Sequence, residues 1–121
     1  MTEKLIDVTA GRSLGHEPGH HYYDAWVHVV ERKRGGYLAT AGFVWGAAQG
    51  YDEEHGSHET SVRGDTLEDA LGALRPEAMA LANDCGDEVE SIERRAYMRS
   101  ALSQAEHELD KIATIDHDAE S

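Results

Sequence analysis

The chain has 121 residues, 40% of them hydrophobic, with a formal net charge of −13 and one cysteine. This length suits one domain with one modest core. The absence of any run of ~18 apolar residues excludes a membrane-spanning helix, and the lone Cys85 excludes an internal disulfide framework.

The charge is unevenly placed. Residues 1–49 hold five acids and five bases, and residues 50–121 hold the other nineteen acids and six bases. Such a field attracts basic surfaces and repels nucleic-acid backbones. The plain alternative is a solvated acidic surface, which the three Lys against eight Arg also fit. Cys85 fits a reducing compartment, and Met1 to Asp7 lacks a basic stretch followed by a long apolar one. A cytoplasmic protein without a secretory signal is the expectation.

In chain order, residues 1–20 read as an irregular segment. Leu5, Ile6 and Val8 suit a short strand, but Gly11, Gly15, Pro18 and Gly19 break any regular pattern. From Tyr22 the residues are aromatic and β-branched, which predicts a hairpin of strands 22–33 and 37–46 closed by Gly35-Gly36. A two-residue loop would set Trp26 opposite Trp45, His28 opposite Phe43 and Val30 opposite Ala41. Both faces of that hairpin are partly apolar. Residues 49–57 read as a polar loop and 57–63 as an edge strand.

Gly64-Asp65-Thr66-Leu67-Glu68-Asp69-Ala70-Leu71 is a helix start, with Asp65 or Thr66 as cap and acids at the positive end of the dipole. The helix is expected over 66–83, kinked or restarted at Pro76. A long amphipathic helix is expected over 88–113, on the stripe Val89, Ile92, Ala96, Leu102, Ala105, Leu109 and Ile112. Residues 114–121 read as a frayed tail. The predicted class is α+β: one domain over 1–121, with an antiparallel sheet of about three strands and two helices.

Four groups of residues could carry function. Asp52, Glu53, Glu54, Glu59, Asp65, Glu68 and Asp69 form an acid-rich stretch opposed only by Arg63. Acids at that density cost stability unless salt or a basic partner screens them, so they are the expected partner-binding residues. Trp26, His28, Phe43 and Trp45 form an aromatic face with two readings: core beneath a helix, or an exposed partner or dimer surface. His55-x-x-His58 has a spacing that could chelate a metal, against the simpler reading of exposed loop histidines. Glu31-Arg32-Lys33-Arg34 places three bases at the hairpin tip, where they discourage edge pairing or touch phosphates.

No nucleophile elbow, phosphate-binding loop or dinucleotide fingerprint occurs, and Cys85 has no base near it in sequence. A non-enzymatic protein without a cofactor is expected.

The order hairpin, third strand, then Gly64 to Leu71 resembles the HicB-like antitoxin family over about residues 21–83. That resemblance implies a three-stranded sheet followed by a helix, and a protein-binding habit. In size and acidity the chain is also similar to small phage inhibitors of anti-CRISPR type. The expected function is an acidic module that docks on a basic, normally nucleic-acid-binding surface of a partner protein, without itself binding nucleic acid or membrane. Alternatives are a HicB-like antitoxin-type partner and a histidine-loop metal or ligand module. The apolar stripe of the long helix exceeds what one small sheet needs, which leaves a homodimer open.

Overall fold

A computed structural model describes the backbone of residues 4–12, 20–48, 54–84 and 91–120; within these, side chains are described except at 12, 20–23, 45–48, 54–56, 91–93 and 113–120. Four strands, β1 (Lys4–Arg12), β2 (His20–Glu31), β3 (Tyr37–Ala48) and β4 (Glu54–Gly64), precede two helices, α1 (Leu67–Asp84) and α2 (Ser91–Glu120). The strands form one antiparallel sheet in the order β1-β2-β3-β4. The class is α+β, with one more strand than expected.

The extra strand is β1, in the segment expected to be irregular. Its residues alternate, with Ile6, Val8 and Ala10 paired to Val29, Val27 and Ala25 of β2. Asp7 and Thr9 fall between them, so one face is apolar and the other polar, as a half-buried strand requires. At the far edge, β4 starts earlier than expected, inside the stretch that reads as loop. It is polar apart from Val62, which suits an edge strand whose inner face meets a helix.

The hairpin register differs from expectation by three residues. Glu31 pairs with Tyr37, so the connection is the five residues 32–36. Gly35 and Gly36 do take positive φ, +95° and +78°. A turn hydrogen bond from Gly35 N–H to Arg32 O precedes them, and Arg32 N–H donates to Gly36 O. An odd shift exchanges the faces of β3 relative to β2. Trp26 therefore pairs with Gly42 and His28 with Thr40, while Phe43 pairs with Ala25. Trp45 pairs with Tyr23, and its side chain lies outside the described residues.

The core explains the choice. In this register Ala25, Val27 and Val29 of β2 join Ala39, Ala41 and Phe43 of β3 on one face, and all six are fully buried. The expected register would have split Phe43 from the valines. Each large side chain removed from water contributes roughly 1.5–3 kcal/mol, so the arrangement that gathers them on one face wins.

Both helices cover that face, α1 over β3 and β4, α2 over β1 and β2. The α1 stripe is Ala70, Leu71, Leu74, Ala78 and Ala82, and it continues past Pro76 in one helix. The α2 stripe is Arg94, Met98, Ala101, Leu102 and Ala105, with Ala96 exposed, one step round from the expected line. Alanines on both stripes let the helices approach the sheet and each other closely. Helix α2 runs antiparallel to α1: Arg94 meets the carbonyls of Ala82 and Asn83, and further along Arg75 pairs with Glu106. Residues 114–120, expected as a frayed tail, continue α2. Among the described residues no helix is long and apolar enough to cross a membrane.

Candidate functional site: the open face of the sheet

Two helices on one side leave the other side of the sheet without cover from the described residues. The strand alternation decides what stands there. β1 supplies Asp7 and Thr9, β2 supplies Asp24, Trp26, His28 and Val30, β3 supplies Leu38, Thr40, Gly42 and Val44, and β4 supplies Ser57, Glu59, Ser61 and Arg63.

Trp26 is the centre of this face. It is half-buried, although no helix lies over it. Its shelter comes from Gly42 on the next strand, where the ring atoms Cζ2 and Cε2 occupy the space that a Cβ would take. The indole thus lies flat across β3, towards the strand that carries Glu59, which pairs with Gly42. On its other side Trp26 contacts His28, with ring centroids 4.6 Å apart and planes inclined by 31°.

His28 is fixed in turn by Asp7. Its Nδ1, shielded from solvent, lies 2.7 Å from Oδ1 of Asp7, which is half exposed. The contact is close, but its alignment is not that of a directed hydrogen bond. Beyond His28, Thr40 Oγ1 and Ser61 Oγ hydrogen-bond to each other at 2.9 Å. Asp7, His28, Thr40 and Ser61 thus form one row across all four strands.

That row holds an acid, an imidazole and hydroxyls, the residue types of nucleophilic catalysis. Among the described residues no hydrogen bond joins the His28 ring to either hydroxyl, and the two hydroxyls pair with each other instead. The row sets an acid, an imidazole and two hydroxyls beside the Trp26 ring.

The face is acidic. Asp7, Asp24 and Glu59 stand on it, and Arg63 lies at the end where β4 meets α1. The other expected partner-binding residues do not all join Glu59. Asp65 lies in the β4–α1 connection, and Glu68 and Asp69 in the first turn of α1. Glu59 is separated from the end of β4 by about 17 Å of strand. Glu54 begins β4 at the opposite end and its side chain is outside the described residues, as are Asp52 and Glu53 altogether. Instead of one row there are acids at both ends of β4 and one, Glu59, in the middle.

Of the expected aromatic face, Trp26 and His28 stand on the open side and Phe43 is buried under the helices. His55 and His58 both belong to β4, not to a loop. Their backbone positions are three residues, about 10 Å, apart along the strand, and the side chain of His55 lies outside the described residues. Among the described residues no group of three or more His, Cys, Asp or Glu side chains could hold a metal ion. Asp7 and Gly42 escaped sequence reasoning. The period-two pattern of Ile6 to Ala10 could have found Asp7, whereas Gly42 needed the correct register.

No protein-family model, no curated protein and no solved structure matches this chain.

Proposed function

We propose that this protein is a non-enzymatic binding module whose open sheet face receives a basic surface of a partner protein. The observation that supports the reading most is the Trp26 plate on a face that no described helix covers, with Asp24 two residues before it on β2 and Glu59 paired to Gly42 beyond it. A guanidinium or ammonium over an indole face is attracted by its π electrons, by roughly 0.5–2 kcal/mol according to desolvation. Nearby carboxylates add charge-assisted hydrogen bonds, and Trp held flat loses little freedom on binding.

The same carboxylates repel phosphate, so an aromatic sheet face of this charge suits a protein that binds nucleic acid better than nucleic acid itself. The charge of residues 50–121 extends that preference over the helical layer and speeds encounter with a basic partner. An inhibitor of a host-defence nuclease complex, of anti-CRISPR type, is the most concrete form of this function, and it rests on size and acidity. A second form is a HicB-like antitoxin-type partner of a small basic toxin. The order β2-β3-β4-α1 and the capped Gly64-Asp65-Thr66 helix start favour it.

The test is a paired substitution on the open face. Trp26→Ala with Glu59→Lys should abolish capture of a basic partner and leave the fold intact. Undiminished capture by that variant would remove the open face from the function.

A further inference from the structure

The end of the sheet where the β2–β3 turn meets the start of α1 holds a cleft of about 660 Å³. We propose that this cleft is a second binding site, for the phosphate of a small, hydroxyl-bearing phosphate ester of about the size of a sugar phosphate or nucleotide. Its volume falls within the roughly 300–1,000 Å³ typical of small-molecule sites.

Three arginines line it, Arg32 and Arg34 from the turn and Arg63 from the last residues of β4. Among the described residues none of the three makes an ion pair. In a chain of net charge −13 with carboxylates close at hand, three arginines of this kind on one cleft are an unspent anion site. Guanidinium is the group best matched to phosphate, because its planar fork presents parallel N–H donors.

The floor is built from backbone. A Cβ on Gly36 would lie 3.0 Å from the carbonyl oxygen of Gly64, and a Cβ on Gly64 would lie 2.3 Å from the amide nitrogen of Ala70. Turn, strand end and helix start are thus packed backbone to backbone. This fixes the elements that carry the arginines, and a preformed site spends less binding energy on ordering.

Asp65 and Asp69 line the cleft from the β4–α1 connection and the first turn of α1. They decide the ligand class. Two carboxylates oppose a bare polyanion, but they accept hydrogen bonds from hydroxyls. An ester with phosphate at the arginines and hydroxyls at the aspartates satisfies both sets. An extended nucleic-acid backbone does not.

The test is titration calorimetry of the full chain with ribose 5-phosphate, AMP and inorganic phosphate at ~0.15 M salt, where the field of distant charges is screened beyond about 8 Å. Ribose 5-phosphate or AMP should bind one per chain, and more tightly than inorganic phosphate. Arg32→Ala with Arg63→Ala should weaken binding by about tenfold or more, the loss expected for charge-assisted hydrogen bonds. Arg34→Ala, on an exposed turn, should weaken it as well and serves if the double variant is unstable. Lys33→Ala removes the same charge from a residue that does not line the cleft, and should weaken binding by less than about twofold. No binding of either ester up to ~10 mM would overturn the proposal. So would inorganic phosphate binding as tightly as the esters, or Lys33→Ala costing as much as the arginine variants.

Discussion

The indole of Trp26 takes the place that a side chain at residue 42 would need: a Cβ on Gly42 would lie 2.4 Å from Cζ2 of Trp26. It would also lie 2.7 Å from the carbonyl oxygen of His58. The ring could swing away, but the carbonyl belongs to the backbone of the neighbouring strand. Gly42→Ala is therefore expected to destabilise the fold by about 1–3 kcal/mol in urea denaturation. It should also shift tryptophan emission to the red, as the displaced ring meets water.

Phe43 and Val44 are neighbours in β3 with opposite fates, one fully buried and the other exposed. Phe43→Ala should cost about 3–5 kcal/mol. Val44→Ala should stay within about 0.5 kcal/mol. Chemical denaturation of the two variants thus reads the register of the hairpin directly. A two-residue turn would put Val44 under the helices with Val27 and invert the result.

Arg94 is 4% exposed and closes the C-terminal end of α1, with Nε donating to the carbonyl of Ala82 at 2.9 Å. Helix ends leave their last carbonyls without partners, and a cation there also meets the negative end of the dipole. Arg94→Met should destabilise by about 2 kcal/mol, since hydrogen bonds to charged groups are worth roughly 1.5–3. Arg94→Lys should recover part of that loss. The comparison of thermal midpoints separates lost charge from lost packing.

Thr66 caps α1. Its Oγ1 accepts the backbone N–H of Asp69 at 3.0 Å. Thr66→Ala should cost about 1 kcal/mol, measured as the midpoint shift in urea. Asp65→Ala, one residue earlier and exposed, should change stability by less than about 0.5 kcal/mol.

The helices and the hairpin were legible because their signals are local. Gly64 to Leu71 contains its own cap and the first turn of its apolar stripe, and Tyr22 to Trp45 is rich in strand-forming residues. The register was not legible from Gly35-Gly36 alone. Both glycines have the expected positive φ, yet a turn hydrogen bond from Gly35 to Arg32 adds three residues to the loop. What selects that longer loop is the burial of Phe43 with Val27 and Val29, a tertiary effect.

The same register sets the neighbours within the candidate site. Trp26 and His28 stand on the open side, with Gly42 and Thr40 as neighbours in place of the Trp45 and Phe43 that a two-residue turn gives them. Leu5, Ile6 and Val8 suit a short strand, but the glycines and proline from Gly11 onward give no pairing partner that would place Asp7 beside His28. The acid-rich stretch looked continuous in sequence, but β4 is extended and sets Glu59 well apart from Asp65, Glu68 and Asp69.

The most direct test of the open face as a binding surface is affinity capture from the native host's lysate at low salt and at ~0.5 M salt. The wild-type chain and the Trp26→Ala, Glu59→Lys variant would be run in parallel, with retained proteins identified by mass spectrometry. The predicted result is a basic, nucleic-acid-binding protein held by the wild type at low salt, released at high salt and lost from the variant. Equal retention by both chains, or no salt-sensitive partner at all, would contradict it.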